Sequence, residues 1–382
     1  MQGGGLVSDA ERALAAGDLT RAVTLLNEAA EAQPGNGELW MKVAALHRAT
    51  SNPEAALAAV HRALAVTPLD FTMLLMRASL LQRLGHPESG QAWGHALAQK
   101  PTGDLPPQIA AAVAEGERQH AAYVDAREAK LSASMTVTTA AASDDERRRI
   151  ERFRTNVVGK TRPYYSNPTH FFFPELAQRE FHPRDLFPWI ARLEASTDTI
   201  ASELQAVMAA ERTELVPYIQ YDEHLPLAQW KPLNHNPDWT AIHLWRNGEK
   251  VEANARHCPQ TLKLLEAIPQ PEVRGSGPNA MFSLLAPRTA IPAHVGVNNA
   301  RLVCHLPLNV PEGCWFRVGA ETRFWQRGEA FVFDDTMEHE ALNPSEDLRV
   351  VLIFDLWHPD LSEAERNAVA ALIGSEGGVG AL

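Results

Sequence analysis

The chain has 382 residues, 45% of them hydrophobic and 21% charged, which is enough for two domains with cores of their own. A net charge of −12 argues against nucleic-acid phosphate as the main partner. Three scattered cysteines (Cys258, Cys304, Cys314) exclude a disulfide scaffold, and neither a signal-peptide pattern nor an apolar run of roughly 18 residues is present, so a soluble, cytoplasmic protein without membrane partners is expected.

The first 131 residues read as successive helices, rich in Ala and Leu, and they repeat. Gly17, Ser51 and Gly85 are spaced by 34 residues; Ala22, Ala56 and Gly90 keep the same step, as do Ala29 and Ala63. Pro34, Pro68 and Pro101 follow, the last one residue short of the period. Small residues let the two helices of a hairpin approach closely, and a Pro stops the second helix. This period resembles the tetratricopeptide repeat, although its large aromatic positions are mostly aliphatic here. The stretch from Gln108 to Leu131 is amphipathic and serves as a closing helix.

SASMTVTTAAASDD, residues 132–145, is small, polar and aperiodic and reads as a linker to a second domain over 146–382. ERRRIERF and FPWIARLEASTDTIASELQAVM suggest two flanking helices. From Trp239 onward the pattern turns to strands: WTAIHLWRNG, AMFSLLAP, RLVCHLPLNV, CWFRVGAETRFWQRGEAFVFDD and DLRVVLIFDLWHP. Many short strands without intervening helices indicate a sandwich or barrel, with a jelly roll among the few available architectures.

Three residues on these strands carry chemistry. His294 falls between two strand-like segments, in a loop or at a strand edge, His339 falls at a strand end, and two neutral imidazoles suit Fe(II), Zn or Cu. Arg349 opens a strand otherwise full of Val, Leu and Ile, where burying a guanidinium is costly unless an anion receives it. Its fork suits a carboxylate. An iron site of the facial-triad type would also need a carboxylate two residues after the first His, and that position is Gly296. Cys304 and His305 are adjacent on a strand and so face opposite sides, which excludes a Cys–His pair.

The blocks HVGVNNARLVCHLPL, EGCWFRVGAETRFW, FDDTMEHEALN and LRVVLIFDLWHPDLS resemble the aspartyl/asparaginyl β-hydroxylase family, from roughly Trp239 to Leu361 closely and from Arg148 more loosely. The resemblance implies an α + β two-domain chain whose C-terminal part is a double-stranded β-helix. It also implies a hydroxylase using Fe(II), 2-oxoglutarate and O2. Residue by residue, His294 and His339 match the iron ligands, and Ser283 and Arg349 match the pair that holds the distal carboxylate of 2-oxoglutarate. Arg301 and His305 match the active-site pattern Arg-Leu-x-x-His. Gly296 fits as well, because this family lacks the usual carboxylate ligand. Asp334, Asp335 and Glu338 stand close enough in sequence to orient His339, or form a solvated turn. Trp239, Arg246 and Arg256 lie where the family places substrate contacts. One departure is Val303, where the animal peptide hydroxylase of the family carries a second Arg; whether an acidic substrate is accepted is left open by it.

The expected activity is Asp/Asn-type hydroxylation of a peptide or protein side chain, with the helical repeats docking the partner. Hydroxylation of a free amino acid or lipid acyl chain, a repeat scaffold with an inactive barrel, and a halide in the place of the missing carboxylate are the alternatives.

Overall fold

The computed structural model describes residues 2–135, 141–210, 215–222, 224, 229, 231–232 and 234–375. Two compact units divide the chain at Thr161/Arg162.

The first unit is a series of helical hairpins: α1 (Gln2–Ala15) with α2 (Leu19–Glu31), α3 (Gly37–Ala49) with α4 (Pro53–Val66), and α5 (Phe71–Arg83) with α6 (Ser89–Leu97). The 34-residue small positions divide into two jobs. Gly17, Ser51 and Gly85 sit in the hairpin turns with φ of 77°, 58° and 62°, a left-handed backbone that favours Gly. Ala22 and Ala56 are wholly buried where the helices cross, and Gly90 takes the same place against the Tyr123 ring. The caps repeat too: Asp18 and Asn52 accept from the amides of Arg21 and Ala55, while Asn36 and Asp70 accept from those of Leu39 and Met73. Each Pro falls two to four residues past its helix, as a stop should.

The closing helix α7 runs from Pro107 to Met135, longer than the sequence pattern indicated. The proposed linker is therefore partly helical, while residues 136–140 lie outside the described residues. A second correction concerns α8 (Asp144–Val157), assigned from sequence to the second domain. It belongs to the helical unit, because Glu128 on α7 is bridged by Arg154 and Lys160, and a Ser143–Glu146 capping box starts the helix.

The second unit begins with an irregular strap and then α9 (Ile190–Ala195) and α10 (Thr197–Met208). These replace the single helix expected there, the break falling at Ser196. The strands follow: β1 (Leu215–Pro217), β2 (Trp239–Arg246), β3 (Glu249–Lys250), then α11 (Glu252–Ala255) and α12 (Pro259–Leu265). After them come β4 (Ala280–Leu285), β5 (Thr289–His294), β6 (Arg301–Asn309), β7 (Trp315–Val318), β8 (Glu321–Phe324), β9 (Phe331–Phe333), β10 (His339–Asn343), β11 (Arg349–Trp357) and a terminal α13 (Glu363–Ser375). Among the described residues one sheet runs β1-β2-β4-β11-β6-β9 with β3 beside β2, and the other runs β5-β10-β7-β8; the named strands pair antiparallel.

Strand alternation divides the larger sheet between two environments. Leu302, Cys304, Leu306 and Leu308 of β6 and Val350, Leu352, Phe354 and Leu356 of β11 pack with Ile200 and Leu204 of α10 and Leu262 of α12. The opposite face sets Met281, Val303, Val351 and Ile353 against Ile291, Phe316 and Ala341 of the smaller sheet. No helix among the described residues is long and apolar enough to cross a membrane.

Gly116 of α7 tests the close packing of the first unit. A Cβ there would lie 2.5 Å from the Trp93 ring, whereas Gly5 has open space. Gly116→Val is expected to destabilise the helical unit by about 1–3 kcal/mol, seen as a lower denaturation midpoint followed by helical circular dichroism on the full chain. Gly5→Ala should cost nothing.

Candidate active site

The inward faces of the two sheets enclose a pocket whose walls include Ser283, His294, Arg301, His305, His339 and Arg349. The pleat puts them there. Arg301, Val303 and His305 alternate along β6 with the apolar residues that face the helices, and Arg349 and Ile353 do the same along β11. Cys304 and His305 do part to opposite sides, the thiol into the helix-facing core and the imidazole into the pocket.

His294 ends β5 and His339 opens β10, and the antiparallel register sets the two directly opposite each other. Their ring centroids are 4.0 Å apart. Each ring is pinned by its Nδ1, 2.8 Å from the Pro292 carbonyl for His294 and 3.0 Å from the Met337 carbonyl for His339. A carbonyl only accepts, so Nδ1 carries the proton and Nε2 keeps its lone pair, the form in which imidazole binds a metal. Burial pushes His294 down to about 3, with His339 adding to the effect, and pushes His339 down to about 4. Both rings are therefore neutral at physiological pH. Among the described residues no three His, Cys, Asp or Glu side chains gather as a metal group.

The loops that carry this pair are laced to one strap. Asn167 N–H donates to the Thr336 carbonyl (2.9 Å), and the Ser166 and Thr336 hydroxyls meet at 2.6 Å in a buried contact. Thr169 and His170 donate to the carbonyls of Gly296 and Val297. Nothing in the sequence pattern of this strap announces that role.

Arg349 occupies one end of the pocket. It is 1% exposed, its guanidinium lies 4.8 Å from the Trp325 ring centroid, and its Nη1 reaches Ser283 Oγ only at 3.4 Å. Nε has no hydrogen-bond partner among the described residues, and no carboxylate among them forms an ion pair with the group. Burial holds its pKa down to about 10, so it stays charged at neutral pH. Ser283 also accepts from Trp239 Nε1 at 3.1 Å, and the Trp239 ring is stacked on Tyr218 with centroids 4.0 Å apart. A cation left this way suits a carboxylate brought by a ligand.

Arg301 stands apart from that end, joined to Asp335 by an Nη2–Oδ2 bond of 3.0 Å. Gly296 lies against the same carboxylate, and a Cβ built there would collide with it. The plus-two position is thus filled from across the pocket, and a side chain on residue 296 has no room. Burial pushes the Asp335 carboxyl up, with Arg301 opposing.

Among the residues singled out from sequence, Trp239 joins the pocket but Arg246 and Arg256 do not. Arg246 closes the far end of β2, about 23 Å along an extended strand from Trp239, and is exposed. Arg256 follows α11 and bonds its neighbour His257 at 3.1 Å. Of the three acids near His339, Asp335 lines the pocket. Asp334 instead accepts from Thr336, and Glu338 meets Arg317 and Arg162. Tyr218 and Trp325 were missed, since an isolated aromatic on an edge strand or in a loop carries no periodic signal.

Gly296→Ala is expected to displace Asp335 and lower stability by about 1–3 kcal/mol, read from the thermal midpoint of the full chain. An unchanged midpoint would mean that the loop yields freely.

Two family profiles match parts of the chain. The profile of the Aspartyl/Asparaginyl beta-hydroxylase family matches residues 194–359, and that of the Tetratricopeptide repeat matches residues 13–80. Aspartate beta-hydroxylase domain-containing protein 2 of Xenopus tropicalis is 33% identical over 217 residues, covering 55% of this chain and 56% of that protein. The Aspartyl/asparaginyl beta-hydroxylase of Homo sapiens is 31% identical over 186 residues, 48% of this chain and 24% of that protein. The Sgt2 TPR domain from Aspergillus fumigatus aligns with a TM-score of 0.27 at 17% identity, over 31% of this chain and 78% of that one. The chain thus spans about half the length of the first relative and about a quarter of the second. Residues 194–359 are thus similar to the aspartyl/asparaginyl β-hydroxylase family, and residues 13–80 to the tetratricopeptide repeat.

Proposed function

We propose that the chain is an Fe(II)- and 2-oxoglutarate-dependent hydroxylase of a peptide or protein side chain, working on a double-stranded β-helix framework. The observation that carries the reading is Arg349: a buried guanidinium with an unpartnered Nε, beside Ser283, in the pocket that holds the paired imidazoles. The hydroxylase names of the relatives support the same class.

In this reading His294 and His339 hold the ion through Nε2, each kept in the right tautomer by a backbone carbonyl. Arg349 and Ser283 receive the distal carboxylate of the cosubstrate, and Trp239 fixes the Ser283 hydroxyl. Phe316, Trp325 and Phe333 keep water from that end. When bound, the metal and cosubstrate would supply the oxidising power that converts a substrate C–H to C–OH, O2 giving one oxygen atom to that hydroxyl and the other to the succinate left when 2-oxoglutarate loses CO2. With two neutral protein ligands the ion's charge is met by the cosubstrate, so metal binding depends strongly on the surrounding hydrogen bonds. The stacked repeats of the first unit offer an extended face for the protein partner.

Arg349→Gln is expected to raise the 2-oxoglutarate requirement by roughly 10- to 100-fold, the value of a charge-assisted bond. Succinate formation measured against cosubstrate concentration reads it, and wild-type behaviour would contradict the assignment. His339→Ala should abolish Co(II) binding in equilibrium dialysis. Gly296→Asp, which adds a carboxylate at the plus-two position, should weaken rather than strengthen Co(II) binding, because Asp335 already occupies that space.

A further inference from the structure

His294 stands at the end of an edge strand. Among the described residues β5 pairs with β10 on one side and with no strand on the other, and its ladder stops at His294. The next residue, Val295, is gripped by a side chain instead. Gln229 Oε1 accepts from the Val295 amide at 3.0 Å, and Gln229 Nε2 donates to the Val295 carbonyl at 2.8 Å. A carboxamide carries the same donor and acceptor as a peptide unit, so this side chain imitates one residue of a neighbouring strand. The two residues beyond are held from elsewhere. Gly296 donates to the Asp335 carbonyl at 2.7 Å and accepts from Thr169, while Val297 accepts from His170 and Phe171.

Gln229 belongs to the segment that leaves β1 through Tyr218 and Ile219, both of which line the pocket. Ile219 forms a bridge with Asn234, and the Asn234 carboxamide makes the same pair of bonds to the Tyr221 backbone, at 2.7 and 2.9 Å. Two parallel bonds fix orientation as well as distance, which a single bond does not. The His294 ring is pinned by its Nδ1 to the Pro292 carbonyl, but that carbonyl moves with the same backbone. With two protein ligands and no third to correct a displacement, the position of that backbone bears directly on the ion.

We propose that Gln229 is a positioning residue for His294, its carboxamide fixing the Val295 backbone so that the imidazole is already in place for the metal. The bonds end on backbone atoms, so the effect needs no contact between Gln229 and the ion. The proposal rests on the reading of His294 and His339 as the metal pair.

The test measures Co(II) binding by equilibrium dialysis, and the visible absorption of the bound ion, on the full chain without oxygen. Gln229→Met keeps the length of the side chain and loses both bonds. It is expected to weaken Co(II) binding by about tenfold, the low end for a residue that orients a metal ligand. The absorption bands of the bound ion should change as well, while the thermal midpoint of the metal-free chain moves little. Gln229→Glu keeps the acceptor but sets an oxygen against the Val295 carbonyl, and should weaken Co(II) binding at least as much. Hydrogen exchange at the Val295 amide should quicken in Gln229→Met. Wild-type affinity and bands in both variants would overturn the proposal and leave the grip a loop contact only. A lower midpoint with unchanged Co(II) binding would overturn it too. Absence of Co(II) binding by the wild type would instead bring down the metal reading, and the proposal with it.

Discussion

A strand buried on both faces must satisfy two neighbours with alternate residues, and the candidate site is what that constraint leaves on one side. On β6 and β11 every second residue is apolar and packs on helices α10 and α12. That face fixes the register of both strands, because a slip of one residue would drive Arg301, His305 and Arg349 into the helix-facing core. The inner face is then free to carry polar groups at unusual expense. Arg349, 1% exposed, is held by a strand whose other face is packed too well to let it turn outward.

The two cations of the pocket are treated in opposite ways. Arg301 has a carboxylate at 3.0 Å, and breaking such a buried pair by removing one partner would cost about 3–5 kcal/mol. Arg349 has an aromatic face and the hydroxyl and backbone carbonyl of Ser283 at 3.4 Å, none of which carries charge. The first has a charged partner; the second has none among the described residues. The same pocket holds two imidazoles that burial keeps neutral and backbone carbonyls keep in one tautomer. Gly296 connects these features, since its missing side chain is the space that Asp335 uses.

Much of this was legible in the sequence where a period or a contradiction marked it. The 34-residue step located the hairpins, and the strand runs located most of the larger sheet. A lone Arg among Val, Leu and Ile at 349 contradicts its surroundings, and that contradiction pointed to an anion. The short strands β5 and β10 were legible only as the edges on which His294 and His339 stand, because PAH and HEALN lack an apolar run. Arg246 and Arg256, taken from where the resemblance places substrate contacts, do not line the pocket that Trp239 joins. The Arg301–Asp335 pair joins residues 34 apart and could not be read from either segment alone. The unit boundary also escaped, since Glu128 binds Arg154 and Lys160 across a stretch whose composition looked like a linker.

The central claim is that Arg349 waits for the distal carboxylate of 2-oxoglutarate. It is tested most directly by comparing 2-oxoglutarate with 2-oxobutyrate, which keeps the 2-oxo acid head but lacks the distal carboxylate. Affinities for the anaerobic, Fe(II)-loaded chain would be measured by calorimetry. The account predicts that 2-oxobutyrate binds more weakly by roughly 10- to 100-fold, the loss of a charge-assisted bond to a buried guanidinium. Equal affinity of the two acids would contradict it.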